Sequence, residues 1–564
     1  MSQYTEFDLD NLFEQNFFSN LDYFFARSMA GSFDENESII LASLALVSKS
    51  LFEGHICLDI KEIAKTLRPV FKINGCKVKF PEFNTWIKAL NDSSMVSSTL
   101  KTPLVLDSNH RLYFAKYYNF QARLARNIAK RVSLKPLNMN ETLIDEMVES
   151  CFTRGIQTHQ KSAVKNAILN HFTIISGGPG TGKTYATAII KEILSSYAKT
   201  QGFAEPKIIC VAPTGKAASK MEEGGTIHSI LKPLRDAPGF YYNKKNLLQT
   251  DVIIVDEASM IDILLLTRLL EAVPMTAKVI ILGDKHQLSS VQAGSVFSDI
   301  CSVKGLSHNL FTLEYNFRSK GKTGIENMSK AINANDEKRL EDILTSGLYT
   351  DLVFENFNGS RPVASIAGDY IREGYKPFAE ADTLEASLNK LDDFKILCAH
   401  NSGEYGTLQI NNICEKILRS KNNFDIQEGF FKKIIMVSAN DYKKGLFNGD
   451  TGIVYENKGE INAFFRGRDD NIRQFRYSDL PGSNAAFAIT IHKSQGSEFN
   501  KVLIIIPDRL SPVMTRQLLY TGVTRAKGKI IIVGNINIIK KAISLSVKRD
   551  SGLSRCLEEE ILKT

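Results

Sequence analysis

The chain has 564 residues, with 70 Lys and Arg against 62 Asp and Glu, and 43% of its residues are hydrophobic. At about 100–200 residues per domain, this length predicts several domains, more than a small binding module needs. The first basic residue is Arg27 and the longest apolar stretch, residues 39–47, is too short for a bilayer span, so we expect neither a secretory leader nor a membrane segment. The eight cysteines contain no C-x-x-C pair, which is typical of buried thiols in a reducing cytoplasm.

The charge is distributed unevenly along the chain. Residues 1–60 carry ten acidic and two basic residues, whereas residues 61–140 have a net charge of +11. A polyanion such as nucleic acid would be repelled by the first segment and attracted by the remainder. The sequence therefore predicts that contacts with nucleic acid lie outside the first 60 residues.

The first 114 residues are predicted to form a small, mainly helical N-terminal domain. Apolar residues at helical spacing cover residues 11–25, and a second apolar helix is predicted over residues 38–47. The aromatic residues exceed what a core of this size obviously needs, and exposed apolar surface is typical of subunit interfaces. We therefore expect this domain to dock a protein partner, and we expect residues 115–150 to form a basic connecting helix and linker.

Downstream of residue 150, short β-branched runs alternate with helical stretches, the pattern of α/β domains with a buried parallel sheet. Two tandem domains of this class are predicted, residues 151–325 and residues 326–564. Within the second, residues 430–482 are rich in Val, Ile, Phe and Tyr, which predicts a small inserted β-barrel. The predicted strands are residues 173–175, 208–212, 252–255, 279–282, 395–399, 502–506 and 530–533.

A glycine-rich loop follows the first of these predicted strands and opens a helix. Residues 177–184 fit the pattern G-x-x-x-x-G-K-[ST]. Glycines let backbone N–H groups turn toward a phosphate, Lys183 would meet the β- and γ-phosphates, and Thr184 would ligate Mg²⁺. The residue chemistry thus predicts a nucleotide site whose phosphate-binding residues are Gly177, Gly178, Pro179, Gly180, Thr181, Gly182, Lys183 and Thr184.

A buried strand over residues 252–255 ends in two carboxylates, Asp256 and Glu257. Downstream of a phosphate loop, Asp256 would hold Mg²⁺ through water and Glu257 would polarise the attacking water. Two arginines in distinctive contexts, Arg318 and Arg525, are candidates to neutralise the γ-phosphate in the transition state. The residues alone therefore predict hydrolysis of ATP or GTP and leave the base open.

Six segments together resemble, in chain order, the motifs of superfamily one helicases: residues 212–218, 256–260, 283–287, 317–318, 491–498 and 523–526. Within that superfamily the chain is similar to the RecD family. The segments that carry this closer similarity are residues 53–57, 111–113, 213–218, 446–450 and 490–499. The resemblance implies two RecA-like domains with an inserted SH3-like barrel, and a motor driven by ATP and Mg²⁺ that moves 5′→3′ along DNA.

The resemblance also assigns roles to further residues of this sequence. Gln160 would read the adenine edge, and Gln287 would contact the γ-phosphate. Arg318 and Arg525 would be arginine fingers, so that hydrolysis depends on closure of the cleft between the two α/β domains. Gly496 and Glu498 would contact the phosphate and the ribose. The residues expected to hold the DNA strand, mostly through its phosphates, are Pro213, Thr214, His228, Thr490 and His492.

Partners follow from the same resemblance. RecD-like chains are the 5′→3′ motor subunit of the RecBCD helicase–nuclease, so we expect RecB-like and RecC-like subunits in a heterotrimer, and single-stranded and duplex DNA ends. The process would be double-strand-break repair and homologous recombination, in the cytoplasm and at the nucleoid. No acidic cluster typical of a nuclease is visible in the sequence, so cleavage is expected in a partner. The short N-terminal region favours a subunit over the stand-alone RecD-like helicases, and residues 232–250 fit at most a β-hairpin.

Two other functions stay open at this point. An RNA helicase of the same superfamily is one, because motifs that grip phosphates do not exclude a 2′-hydroxyl. A non-catalytic scaffold with a degenerate ATPase core is the other. The scaffold is disfavoured because the complete set of expected catalytic residues is present: Lys183, Thr184, Asp256, Glu257, Gln287, Arg318 and Arg525.

Overall fold

The structure is a computed structural model. It describes residues 4–33, 35, 37–65, 77–152, 158–221, 224–235, 237–290, 292–317, 323–357, 362–419, 430–441, 443–457, 460–467, 471–547 and 549–564. Arg318, one of the two predicted arginine fingers, lies outside these residues. Within them, no helix combines the length and the apolar character that crossing a membrane requires.

The N-terminal region combines helices with a small sheet. Its helices are α1 (Leu9–Glu14), α2 (Asn20–Gly31), α3 (Ser38–Phe52), α4 (Ile60–Lys65) and α5 (Phe83–Asp92). Its strands are β1 (Tyr4–Glu6), β2 (Leu58–Asp59), β3 (Lys77–Lys79), β4 (Val96–Ser97), β5 (Leu104–Leu106) and β6 (Arg111–Phe114). β1 pairs with β3, and the other strands form a sheet in the order β2-β6-β5-β4. The helical character predicted for this region is confirmed; the sheet is an addition, built from strands too short to show alternation.

The apolar stretch over residues 11–25 forms two helices rather than one. Ser19 and Asp22 make a capping box, in which each side chain satisfies a backbone N–H of the other, and this starts α2. Leu12 is buried in the N-terminal core, whereas Leu21 and Phe24 on α2 are 58% and 63% exposed. The stretch therefore supplies both core and exposed apolar surface.

Two helices, α6 (Ala115–Val132) and α7 (Glu141–Cys151), connect this region to the α/β part of the chain. The basic residues of α6 anchor it to the protein. The fully buried Arg131 donates to five backbone carbonyls, those of residues 270, 273, 274, 275 and 277, and Arg123 pairs with Glu271. Buried charge of this kind needs such partners. Part of the positive charge of residues 61–140 is thus already satisfied inside the molecule and is not free for a polyanion.

The first α/β region contains a six-stranded parallel sheet in the order β12-β7-β11-β10-β8-β9. The strands are β7 (Phe172–Gly177), β8 (Ile208–Ala212), β9 (Gly225–Thr226), β10 (Val252–Val255), β11 (Lys278–Gly283) and β12 (Leu310–Leu313). The helices are α8 (Thr158–Leu169), α9 (Lys183–Thr200), α10 (Gly215–Ala218), α11 (Ile227–Leu231), α12 (Ile263–Ala272) and α13 (Val296–Cys301). Apolar clusters cover both faces of the sheet, which explains why its central strands are continuous apolar runs.

The second α/β region has a five-stranded parallel sheet in the order β13-β22-β21-β14-β20, with an antiparallel sheet inserted in the chain. The strands are β13 (Leu352–Asn356), β14 (Phe394–Cys398), β15 (Phe430–Val437), β16 (Thr451–Asn457), β17 (Glu460–Arg466), β18 (Ile472–Arg476), β19 (Ser483–Ala485), β20 (Ala488–Thr490), β21 (Phe499–Ile505) and β22 (Ala526–Gly534). The helices are α14 (Gly324–Ala334), α15 (Glu337–Thr345), α16 (Val363–Ala379), α17 (Leu384–Asn389), α18 (Thr407–Arg419), α19 (Arg516–Val523), α20 (Ile536–Ser544) and α21 (Leu553–Lys563). Two parallel-sheet α/β regions in tandem confirm the predicted fold class.

The inserted unit is an antiparallel sheet in the order β18-β17-β16-β15-β19. Among the described residues, its edge strands β18 and β19 are not paired with each other, so closure into a barrel stays a prediction. Residues 232–250, where at most a hairpin was expected, contain two isolated bridges, Pro233–Phe240 and Asn243–Asn246.

The C-terminal segment returns from the second α/β region to the first. Helix α21 packs against α6 and α13. Ahead of it, the guanidinium of Arg549 donates to the carbonyls of Ser290, Gln292 and Gly294, in the loop after β11. The two α/β regions are therefore joined by this segment as well as by their facing surfaces.

Candidate nucleotide and nucleic-acid site

The glycine-rich loop lies between β7 and α9, as the spacing predicts. Gly180 and Gly182 have φ values of +80° and +89°, a backbone conformation that favours glycine. A Cβ on Gly177 would lie 2.5 Å from Thr181 Oγ1, and Thr181 Oγ1 donates to the carbonyl of Gly178. The glycines are thus required both for the turn and for the close packing of the loop on itself.

Lys183, the first residue of α9, folds back over this loop. Its Nζ donates to the carbonyls of Gly177 and Gly178, the latter at 3.1 Å. The ammonium group therefore lies at the N-terminus of α9, where the loop N–H groups and the helix dipole favour an anion. Thr184 is exposed at the next position of the helix.

Gln160 and Phe317 pack against the same loop from outside. Gln160 is 3% exposed, and its Nε2 donates to the Thr181 carbonyl at 2.9 Å. Its Oε1 has no hydrogen-bond partner among the described residues, which leaves an acceptor available for a ligand N–H. The N–H of Phe317 donates to the Gly180 carbonyl, and its ring lies 3.6 Å from the position of a Cβ on Gly182. The sequence alone assigns Phe317 no role of its own, although it precedes Arg318 directly.

Asp256 and Glu257 follow β10, whose carboxyl end lies at the same edge of the sheet as the loop after β7. The N–H of Glu257 donates to Asp256 Oδ1 at 2.7 Å. Burial and then the charge of Asp256 raise the pKa of Glu257, while Arg525 and Lys183 act in the opposite direction. The charges of Asp256, Arg525 and Lys183 thus all act on Glu257, so four of the predicted catalytic residues lie near one another.

The segment after β11 adds a second polar group to this edge. Asp284 is 2% exposed and accepts from Gln287 Nε2 at 3.2 Å and from the N–H of His286 at 3.0 Å. Gln287 is 4% exposed, and its Oε1 has no partner within the part of the chain that the structure describes. Asp284 belongs to the motif of residues 283–287, but the sequence cannot show which side chain orients Gln287.

Arg525 comes to this edge from the second α/β region. It is 2% exposed, and its guanidinium donates to the carbonyls of Thr521 and Ser497 at 3.0 and 3.1 Å. Between the two regions, next to the phosphate loop, lies a cavity of about 400 Å³ bounded in part by Gly178 and Asp284. The second region thus lies against this edge of the first sheet. Its own carbonyls fix the orientation of the Arg525 guanidinium.

Gly496 and Glu498, predicted to contact the phosphate and the ribose, lie between β20 and β21. Gly496 has a φ of +72°, and a Cβ there would lie 3.5 Å from Thr214 Oγ1. It therefore packs against a residue predicted to bind DNA. Glu498 Oε2 lies 3.9 Å from Lys527 Nζ. Burial lowers the pKa of Lys220, and the charges of Glu498 and Glu257 act in the opposite direction.

The residues predicted to bind DNA occupy both α/β regions. Pro213 and Thr214 follow β8, and the Thr214 hydroxyl caps α10. Thr490 ends β20, and His492 is half-buried, with a pKa lowered by burial and then by Arg549. His228 lies on α11, where its ring packs against Phe240, and α11 follows β9, the strand paired with β8. The structure thus brings Thr214 close to Gly496 and places the start of α11 beside the end of β8.

The chain is similar to known proteins both in separate parts and along nearly its whole length. Three family descriptions match separate parts of the chain: RecBCD enzyme subunit RecD, N-terminal domain (residues 14–113), AAA domain (residues 160–293) and UvrD-like helicase C-terminal domain (residues 485–533). RecBCD enzyme subunit RecD of Mycolicibacterium smegmatis is 29% identical over 557 residues, which cover 93% of this chain and 94% of that protein.

The protein of the same name from Buchnera aphidicola is 25% identical over 594 residues, covering 93% of this chain and 96% of its own length. A crystal structure of Bacteroides Pif1 bound to single-stranded DNA covers 70% of this chain and 95% of its own, at 20% identity and a TM-score of 0.40. The matches to RecD proteins span nearly the whole chain, from the N-terminal region through both α/β regions. Over nearly its whole length, the chain is therefore similar to RecD, a superfamily one helicase.

Proposed function

We propose that the chain is an ATP-dependent DNA helicase that moves 5′→3′ along one strand, as the motor subunit of a RecBCD-type helicase–nuclease. One observation carries the proposal: the second α/β region contributes to two sites of the first. Its Arg525 acts on the carboxylate of Glu257, and its Gly496 packs against Thr214. A change at the nucleotide can therefore alter the hold on a nucleic-acid strand.

The loop and its neighbours fit a nucleoside triphosphate with Mg²⁺. The glycine-lined loop and the Lys183 ammonium provide for phosphates, and the unpartnered Oε1 of Gln160 can accept from an adenine amino group. Thr184 and Asp256 supply the oxygen ligands that Mg²⁺ prefers. When bound, Mg²⁺ would neutralise charge on the β- and γ-phosphates.

In the proposed reaction, Glu257 accepts a proton from the water that attacks the γ-phosphate. Its raised pKa makes it a stronger base than an ordinary glutamate. Lys183 and Arg525 stabilise the charge that develops on the transferred phosphoryl group, and Gln287 contacts that group through its free Oε1. Arg318 retains the role of a second arginine finger as a prediction from the sequence.

Release of the phosphate removes the charge that attracts Arg525, so the two α/β regions can separate. Pro213 and Thr214 hold the strand in the first region, and Thr490 and His492 hold it in the second. Each region in turn binds the strand more tightly than the other, and this alternation converts hydrolysis into stepping along the strand. Because the expected contacts are to phosphates, we propose little sequence preference.

We propose partners by the same reasoning. The relatives are named as subunits of the RecBCD enzyme, so RecB-like and RecC-like chains are the proposed partners and the nuclease activity would reside in one of them. The N-terminal region, with its exposed Leu21 and Phe24, is the proposed docking surface. We also propose the domain division of residues 1–114, 115–150, 151–325 and 326–564, and a cytoplasmic location, at the nucleoid when bound to DNA.

An unwinding assay on matched substrates tests the proposed activity. Forked duplexes of identical sequence are made as DNA and as RNA, and are incubated with the purified chain, Mg²⁺ and either ATP or GTP. We expect unwinding of DNA with ATP. Preferential unwinding of RNA would assign the chain to RNA instead, and absence of nucleotide hydrolysis with single-stranded DNA would favour a non-catalytic scaffold.

A further inference from the structure

The side chain of Tyr520 links the two α/β regions at the edge of the nucleotide site. Tyr520 lies on α19 of the second region and is 6% exposed, and its hydroxyl donates to Asp284 Oδ2 of the first region at 2.9 Å. Burial and then the charge of Asp284 raise the pKa of Tyr520 well above its usual value. The phenol therefore stays protonated and remains a donor at every pH at which the protein works.

Asp284 passes this contact on to Gln287. The same oxygen, Oδ2, accepts from both Tyr520 and Gln287 Nε2, and Oδ1 accepts from the N–H of His286. One hydrogen of Gln287 Nε2 is held by Asp284, and Oε1, which has no partner among the described residues, is available as an acceptor. The position of the carboxylate thus fixes which end of the Gln287 amide is available.

The contact exists only while the two regions face each other. A Cβ on Gly178 would lie 2.9 Å from the Tyr520 hydroxyl, so the phenol packs directly against the phosphate loop. Two further hydrogen bonds cross the same boundary: the N–H of Leu288 donates to Thr521 Oγ1 at 2.9 Å, and Gln495 Nε2 donates to the Leu288 carbonyl at 2.8 Å. Opening of the cleft would therefore remove the Tyr520 donor from Asp284.

We propose that Tyr520 is a positioning residue for hydrolysis: its hydroxyl orients Asp284, and through it Gln287, only when the second region is docked on the phosphate loop. This inference rests on the proposed function. It adds a sensor of closure that is separate from the arginine fingers, because Tyr520 acts on the groups of the first region and not on the nucleotide. It also explains glycine at position 178, since any side chain there would displace the phenol.

Steady-state ATPase with single-stranded DNA tests the proposal in the full chain. Tyr520→Phe keeps the buried ring and removes only the hydroxyl. We expect kcat to fall about tenfold, the scale of one hydrogen bond to a charged group, with KM for ATP changed less than about twofold. In a Gln287→Ala background, Tyr520→Phe should cause no further loss, because the residue through which it acts is absent.

Tyr375→Phe is the matched control, since Tyr375 is also buried in the second region and donates from its hydroxyl to a backbone carbonyl, that of Phe487. It should leave kcat unchanged. Binding of a fluorescent ATP analogue verifies that each variant is folded and loads nucleotide. A Tyr520→Phe variant with the parent kcat, or an equal loss in the Gln287→Ala background, would overturn the inference alone. A parent chain without DNA-stimulated ATPase would contradict the proposed function itself.

Discussion

The backbone N–H of Leu288 donates to the hydroxyl of Thr521 at 2.9 Å, across the boundary between the two α/β regions. Leu288 follows Gln287 directly, and the Thr521 carbonyl in turn accepts from the guanidinium of Arg525. The expected γ-phosphate contact of one region, Gln287, and the expected arginine finger of the other are therefore connected through Leu288 and Thr521. Substitutions at Arg525 should affect turnover much more than nucleotide binding.

Arg525→Lys tests that expectation while keeping the positive charge. Lysine cannot reproduce the planar guanidinium that donates to both the Thr521 and Ser497 carbonyls. We expect DNA-stimulated turnover to fall by about 10³-fold with nearly unchanged ATP binding. Arg516→Lys is the control, because Arg516 begins α19, the helix that ends just before Arg525, and donates to the Ile543 carbonyl. Weakened ATP binding with normal turnover of bound ATP would assign Arg525 to the ground state instead. Arg318→Ala is predicted from the sequence to behave like Arg525→Lys.

Lys183→Gln should abolish ATP turnover without unfolding the protein. Among the described residues, the Lys183 ammonium donates to two carbonyls of a glycine-built loop, so its removal costs little packing but removes the positive charge that the phosphates need. DNA binding should persist and unwinding should stop. Lys199→Gln, an exposed lysine in the last turn of the same helix, should leave both unchanged. Hydrolysis by Lys183→Gln at near the parent rate would mean that the loop does not bind the phosphates.

Much of the fold was predictable because the buried parallel strands are continuous apolar runs. Each of the seven predicted strands overlaps an observed one, and β8 and β10 match residue for residue. The four strands of the parallel sheets that were missed, β9, β12, β13 and β20, all lie at sheet edges. Edge strands are short or only half-buried, so their residues lack the apolar run on which the prediction depends.

The site was predictable only as far as residues close in sequence determine it. The phosphate loop and the Asp256-Glu257 pair could be read from local patterns. The contact of Tyr520 with Asp284 joins residues 236 positions apart, and only the tertiary fold brings them together. Helix α6 shows that composition alone can mislead. Its basic residues suggested contact with a polyanion, but the guanidinium of Arg131 is buried and donates to backbone carbonyls.

The exposed apolar residues of α2 give a direct test of partner docking. Deletion of residues 1–110 would uncover the motor core, since Ile56 and Cys57 are buried within it. The double substitution Leu21→Ser and Phe24→Ser removes exposed apolar surface without opening a core. We expect it to abolish co-purification with RecB-like and RecC-like chains and to leave DNA-stimulated ATPase intact. Phe203→Ser, equally exposed at 66% on the first α/β region, is the control. Full co-purification of the double variant would place the docking surface elsewhere.

Asp299 on α13 predicts a pH dependence of stability. Burial raises the pKa of this carboxyl from 3.8 to about 7, with Ser551 and Arg111 acting in the opposite direction. Because the folded state holds the proton more tightly than the unfolded state, stability falls as pH rises from about 4 to about 7.

Asp299→Asn removes that cost. It should therefore raise the thermal midpoint by about 2–4 °C at pH 8 and by less at pH 5. Asp92→Asn, at an exposed position, should have no such effect. An equal change at both pH values for Asp299→Asn would show that its carboxyl does not titrate in this range.

The polarity of unwinding tests the central claim most directly. Two partial DNA duplexes of the same sequence are compared, one with a 5′ and one with a 3′ single-stranded overhang, with ATP and Mg²⁺ and with Lys183→Gln as the inactive control. A 5′→3′ motor that steps by closing its two α/β regions on ATP should unwind the first duplex and leave the second intact. Unwinding of the 3′-overhang duplex instead, or unwinding of either duplex by Lys183→Gln, would contradict the account.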